Sequence, residues 1–190
     1  MTIAIIKYNA GNETSIANAL LRLGVTPTVT DDANEIRAAS HVIFPGVGHA
    51  KPAMAYLRER ELDKVICSLT QPFLGICLGL QLLCGWSEEG DSTCIGVYAG
   101  KVRRFSVDQN VPHKGWNSVQ LAETGLDTRE SWFYFMHSFR ADLGPDTVAT
   151  CDYGGEFSAV MRKGNFLAVQ FHPEKSGKAG AGLLAKFLAS

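Results

Sequence analysis

The sequence predicts an α/β fold with a mostly parallel central sheet, flanking helices and an antiparallel extension. Three observations predict it. In the first half, short β-branched or apolar runs alternate with segments of helical period, which is how a parallel sheet covered on both faces reads. In the second half, strand-like runs follow one another across glycine-bearing turns, which is how hairpins read. The chain has 190 residues, 46% of them hydrophobic and 19% charged, enough for a real core and ordinary for a globular protein. One domain over 1–190 is expected.

The elements follow in order. Residues 2–8 (TIAIIKY) form a β-branched run that stops at the turn-like NAGN, a first buried strand. Residues 13–24 space Ile16, Ala19, Leu20 and Leu23 at helical intervals and stop at Gly24. Strands are expected at 26–30 and 41–46, one helix at 53–69, a strand at 71–76, and a helix after it. The second half is expected to hold strands at 95–105, 131–141, 146–154, 156–164 and 165–172. YGGEF (153–157) and RKGN (162–165) read as hairpin turns. A closing helix covers 177–190.

Composition excludes several function classes. A net charge of −1 leaves no electrostatic footprint for nucleic acid or an anionic membrane. No apolar run reaches the ~18 residues of a membrane span. The opening MTIAIIKYN is interrupted too soon for a signal peptide, so a cytoplasmic location is expected. The five cysteines are odd in number and include no C-x-x-C pair, so neither a disulfide framework nor a metal site is expected, and no cofactor.

Four of those cysteines read as small buried hydrophobes. Cys77 differs. It lies in Gly75-Ile76-Cys77-Leu78-Gly79, between an expected strand and an expected helix. That is the G-x-nucleophile-x-G pattern of a nucleophile elbow, whose glycines let neighbouring backbone pass close. The helix N-terminus favours thiolate over thiol. A buried structural cysteine reads the same way until a base is found. His172, at the end of the last strand in FHPEKSG, is carried to the sheet edge where the elbow opens. Pro173 ends the strand, and Glu174 can return to the imidazole as an orienting carboxylate. Cys77, His172 and Glu174 then form a nucleophile–base–acid set. FPGVGHA (44–50) offers backbone N–H groups for an oxyanion, although an ordinary glycine-rich turn reads the same way.

These residues resemble class I glutamine amidotransferases of the triad type. YNAGN, PGVG, CLGLQLL, HKGWN, YFMHSFR and HPEKSG together are similar to the glutaminase subunits of imidazole glycerol phosphate synthases, from the first strand to the last helix. The resemblance implies that Cys77 attacks the side-chain amide of L-glutamine, giving glutamate and ammonia through a thioester. His172 would serve as base and Glu174 as its orienter. It implies oxyanion stabilisation by Gly46, Val47 and Gly48, with Val47–Gly48 the expected peptide. Gln81 is expected to hold the amino-acid end of glutamine, and His137 and Ser138 to lie in the substrate-binding segment. Two positions depart from the usual pattern: Phe139 where tyrosine is frequent, and Lys114 where methionine is usual.

The chain carries no P-loop and no dinucleotide fingerprint, so a nucleotide acceptor for the ammonia has to lie elsewhere. The resemblance implies a cyclase subunit of (β/α)8-barrel type, paired with this chain as a heterodimer. Tyr8, Asn9, Asn12, Trp116 and Lys175 match motifs expected to face it. Three alternatives remain: a glutaminase serving another synthase, a non-catalytic protein that kept the fold, and a cysteine hydrolase of another substrate.

Overall fold

The computed structural model describes residues 1–121 and 132–190. The first half runs β1 (Ile3–Ile6), α1 (Glu13–Arg22), β2 (Thr28–Thr30), α2 (Ala33–Ala38), β3 (His41–Gly46), α3 (Ala50–Glu59), α4 (Leu62–Cys67), β4 (Phe73–Cys77) and α5 (Leu78–Leu83). The second half runs β5 (Trp86–Ser87), β6 (Ser92–Thr93), β7 (Lys101–Arg104), β8 (His113–Ser118), β9 (Gln120–Leu121), β10 (Trp132–His137), β11 (Phe139–Ala141), β12 (Thr147–Asp152), β13 (Glu156–Lys163) and β14 (Phe166–Val169). A 3₁₀ turn (Pro173–Lys175) and α6 (Gly177–Leu188) close the chain.

The main sheet has the order β2-β1-β3-β4-β14-β13-β12-β9. It is parallel from β2 to β14 and antiparallel from β14 to β9. β14 is therefore the seam between the two halves. The expected fold class is what is found. Its two faces are buried separately, because strand side chains alternate. Ala4, Ile6, Val42, Phe44 and Phe73 point to the side of α2–α5. Ile3, Ile5, Ile43, Leu74 and Ile76 point to the side of α1 and α6. Two small sheets stand apart, β8–β10 and β11-β7-β5-β6. Among the described residues no helix is long and apolar enough to cross a membrane.

Several elements differ from expectation, each for a local reason. The expected 53–69 helix is two helices, because Glu61 takes a left-handed conformation (φ 55°) between them. α2 has no counterpart in the sequence reading: six residues with one buried side chain, Ile36, show no periodicity. It is held by Asp32, whose carboxylate accepts from the amides of Asn34 and Glu35, a cap worth about 0.5–2 kcal/mol. Only Lys101–Arg104 of the expected 95–105 strand is strand. Upstream, the amides of Ile95, Gly96 and Tyr98 donate to Leu82 O, Cys84 O and Leu83 O, the carbonyls left open at the end of α5. The expected 131–141 strand breaks at Ser138 into β10 and β11, which join different sheets; its first residue, Ser131, lies outside the described residues.

Candidate active site

Cys77 ends β4 and begins the turn into α5. Its backbone has φ 55° and ψ −106°, a strained conformation for a residue with a side chain, costing roughly 1–3 kcal/mol. The neighbouring glycines make it possible. A Cβ on Gly79 would collide with Phe44 O on β3, so α5 could not pack at this angle. A Cβ on Gly75 would lie 2.9 Å from Leu83 Cδ1. Cys77 is buried, and its register partner on β3 is Gly46, so the oxyanion loop starts beside it.

His172 reaches the same edge from β14. Its backbone N–H donates to Tyr134 O at 2.9 Å, and its carbonyl accepts from Ser176 Oγ at 2.7 Å. The 3₁₀ turn begun by Pro173 swings Glu174 back, so that Glu174 Oε1 lies 2.8 Å from His172 Nδ1. Asn12 Nδ2, at the start of α1, donates to the same oxygen at 3.2 Å. The Glu174 side chain is 1% exposed, and its Oε2 has no partner among the described residues. Nδ1 is thus fixed on the carboxylate and Nε2 is left for Cys77. Burial alone lowers the His172 pKa. Its charge coupling and hydrogen bond to Cys77, together with Glu174, outweigh that and hold the imidazole well above its ordinary value.

A cavity of about 250 Å³ opens over Cys77. Val47, Gly48, Gln81, Ser138, His172 and Lys175 are among its lining residues. Gln81 is buried with its nitrogen committed: Nε2 donates to Phe139 O at 2.8 Å and to Gln170 Oε1 at 3.1 Å. Its oxygen is the atom left for a ligand. His137 also lines the cavity, but both ring nitrogens are committed. Nδ1 donates to Phe139 O at 2.7 Å, and Nε2 accepts from His113 Nδ1 at 3.0 Å. His137 and Ser138 thus line the cavity where the substrate-binding segment is expected, with no His137 ring nitrogen left to offer a ligand. Burial pushes the pKa of His137 down to about 3 and that of His113 to about 4.

In the 46–48 loop, the N–H of the Gly46–Val47 peptide donates from Val47 to Ala10 O at 2.6 Å, toward the loop after β1; the N–H of the expected Val47–Gly48 peptide is that of Gly48. Gly48 holds φ +104°, where only glycine is at ease.

The residues expected at a partner face divide. Trp116 is 54% exposed and Lys175 is exposed. Asn9 is exposed, with Nδ2 on Pro52 O at 3.2 Å. Asn12 is half-buried, with Nδ2 on Glu174 Oε1. Tyr8 is corrected: it is buried, with its hydroxyl on Pro45 O at 2.7 Å, so it braces the oxyanion loop from below. Burial pushes its pKa up, with Cys77 and Glu13 adding to the shift.

Two lining or supporting residues were missed. Glu89 is a buried acid in the cavity wall, its Oε2 accepting from the Ala50 amide at 2.8 Å. Its only signal in the sequence was an acidic pair, WSEEG, next to the elbow helix. Gln170, fully buried, donates from Nε2 to Cys77 Sγ at 3.7 Å. It sits two residues before His172, in the motif already singled out. Among the described residues no cluster of His, Cys, Asp and Glu could hold a metal ion.

Residues 4–190 match the family model "Glutamine amidotransferase class-I". The chain is 46% identical over 194 residues to the imidazole glycerol phosphate synthase subunit HisH of Bacteroides fragilis (strain YCH46), covering 99% of each. It is 44% identical over 191 residues to the same subunit of Idiomarina loihiensis, covering 99% of this chain and 97% of that one. A crystal structure of a glutamine amidotransferase shares the fold with TM-score 0.76 at 20% identity, covering 100% of this chain and 98% of that one. A glutamine amidotransferase structure from Thermotoga maritima gives 0.61 at 17%, covering 100% and 83%. The chain belongs to the class-I glutamine amidotransferase family.

Proposed function

We propose that this chain is a single-domain glutaminase subunit of an imidazole glycerol phosphate synthase, acting in the cytoplasm in histidine biosynthesis. Its ammonia passes to a cyclase subunit of (β/α)8-barrel type, which makes imidazole glycerol phosphate and AICAR. The observation that carries the reading is the meeting of Cys77 and His172 on one cavity, with Glu174 behind His172 on its Nδ1, in a chain matched over 99% of its length by such subunits.

The geometry supports a thioester route. The Cys77 thiolate attacks Cδ of the glutamine amide, and the C=O electron pair moves onto oxygen. Leu78 N–H, in the first turn of α5, and an N–H of the 46–48 loop are the donors for that oxyanion. The His172 imidazolium gives its Nε2 proton to the leaving nitrogen, so ammonia departs and a thioester remains. His172 then takes a proton from water, the hydroxide adds to the thioester, and glutamate leaves as the thiol re-forms. Glu174 and Asn12 keep the ring in the required tautomer. Gln81 Oε1 and the Glu89 carboxylate are acceptors suited to the α-ammonium of the substrate. Ser138 supplies a hydroxyl with no hydrogen bond among the described residues.

The partner reading rests on the β8–β10 ribbon. Trp132 and Met136 are 56% and 47% exposed on its outer face, with Trp116 opposite Tyr134 on the paired strand. An apolar face of this kind beside the cavity mouth, with Lys175 next to it, suits a protein partner. The test is glutamate release with and without a matching cyclase subunit and its nucleotide ligand. Stimulation by both is expected. Equal turnover of the free chain, or stimulation only by an unrelated synthase, overturns the assignment.

A further inference from the structure

The wall of the cavity behind Cys77 carries a chain of hydrogen bonds whose direction is set by one acceptor. Phe139 O can only accept. Gln81 must therefore present Nε2 to it, at 2.8 Å. The second hydrogen on that nitrogen goes to Gln170 Oε1, at 3.1 Å. With Oε1 committed, the Gln170 amide has to aim Nε2 at Cys77 Sγ, 3.7 Å away. The same carbonyl polarises a second branch. His137 Nδ1–H donates to it, so His137 Nε2 accepts from His113, and Asn117 Nδ2 lies 3.3 Å from the remaining His113 nitrogen. The sheet register explains why Gln170 is there: Val169, the last residue of β14, pairs with Ile76, so the residue that follows β14 lies beside Cys77 at the end of β4.

We propose that Gln170 is a second hydrogen-bond donor to the Cys77 thiolate, after His172, and that Gln81 and the Phe139 carbonyl hold its amide in the donating orientation. The inference rests on the reading of Cys77 as the nucleophile. Besides the His172 ring, the sulfur meets a backbone acceptor, Met136 O at 3.9 Å, which favours the neutral thiol and disfavours the anion. An amide N–H from the opposite side offsets that, because a donor stabilises only the charged form. The titratable groups around the sulfur are His172, with Glu174 behind it, His137 from β10, Tyr8 from the loop after β1, and Glu89 and Lys175 in the cavity. Tyr8 and His137 are held neutral by burial. Gln170 is therefore the uncharged donor whose removal changes the sulfur without changing the charge of the site.

The test is the pH dependence of Cys77 alkylation by iodoacetamide in the full chain, read by peptide mass spectrometry so that Cys67 does not interfere. Thermal unfolding is recorded in parallel. Gln170→Met removes the donor. Gln170→Glu keeps the shape and the Gln81 contact but turns an acceptor toward the sulfur. Gln81→Met leaves Gln170 intact and unanchored. The midpoint should rise by about one pH unit in Gln170→Met, a tenfold loss of thiolate at neutral pH. It should rise more in Gln170→Glu and less in Gln81→Met. A residue with a packing role alone lowers the melting temperature and leaves the midpoint in place. If Gln170→Met does not fold, the other two variants decide. A parent that reacts normally with folded variants unshifted overturns the relay alone. A parent whose Cys77 is inert overturns the nucleophile reading with it.

Discussion

The two sides of Cys77 are built differently. On the side of β14, the polar groups that bear on the reaction are locked: His172 on Glu174, Glu174 on Asn12, Gln81 on Phe139 O, Gln170 between Gln81 and the sulfur. On the side of β3, the Val47 N–H faces Ala10 O rather than the cavity, on a loop where Gly48 already holds φ +104°, so that reorienting a peptide there is inexpensive. The polar groups around the Cys77 sulfur are held by hydrogen bonds, whereas one amide of the 46–48 loop faces Ala10. On the function proposed above, a rigid side would make the thiolate and a turnable loop would govern its use.

The largest effects should come from the locked side. Cys77→Ala or Cys77→Ser should lower glutamate release by roughly 10⁴- to 10⁶-fold with the fold intact by circular dichroism. A glutamine-analogue electrophile should label only Cys77. His172→Ala should be nearly as severe, and the Cys77/His172 double variant little worse than either single one, because triad members act as a unit. Glu174→Gln should be milder by about two orders of magnitude. Additive losses in the double variant would break the idea of one locked set.

The turnable side should show a smaller and more selective loss. Val47→Pro removes the N–H and stiffens the peptide. It should lower partner-stimulated turnover by about 10²- to 10³-fold, while Cys77 alkylation stays at the parent rate. If alkylation falls as well, the two sides are not independent.

Stability against acid should separate them further. His113 and His137 have pKa values lowered to about 4 and about 3 by burial. Below about 6.5 the unfolded chain binds protons that the folded chain refuses, so stability falls as pH falls from there toward those values. The slope limit is about 1.4 kcal/mol per pH unit for each histidine. His172 has the opposite sign: its folded pKa is raised, so its contribution is complete below 6.5 and is lost only as pH rises toward the folded value. Urea unfolding between pH 6.5 and 5 therefore isolates the pair. His113→Phe, which keeps the stack on Tyr153 and Phe135, should roughly halve the slope.

The smallest effect is expected from Lys175→Ala. Lys175 is exposed at the cavity mouth, and its loss should weaken stimulation by the partner several-fold, as for a charge at an interface rim. Electrophile labelling should be unchanged.

Much of this was legible in the sequence, and what was not has a common cause. The elbow could be read because its glycines and its strand-to-helix position are local. His172 and Glu174 could be read because a proline fixes the turn between them. Gln170 lies two residues from His172 and stayed invisible: its partners are 89 and 93 residues away, brought together by the pairing of β4 with β14. Tyr8 was expected at the partner face because YNAGN matches a motif of the resembling family, and the packing of β1 against β3 buries it. β8 was missed because HKGWNS does not alternate: its apolar contacts come from stacking of His113, not from aliphatic side chains.

The position of β14 also sets a clock. The strand lies between β4 and β13, late in the chain and central in the sheet. Ninety-five residues separate Cys77 from His172, so at synthesis rates of about 5–20 residues per second the cysteine leaves the ribosome roughly 5–20 s before its base. During that interval Cys77 has neither imidazole nor amide beside it. On the function proposed above, a nascent or truncated chain would not hydrolyse glutamine, and the insertion of one late strand would both complete the sheet and complete the site.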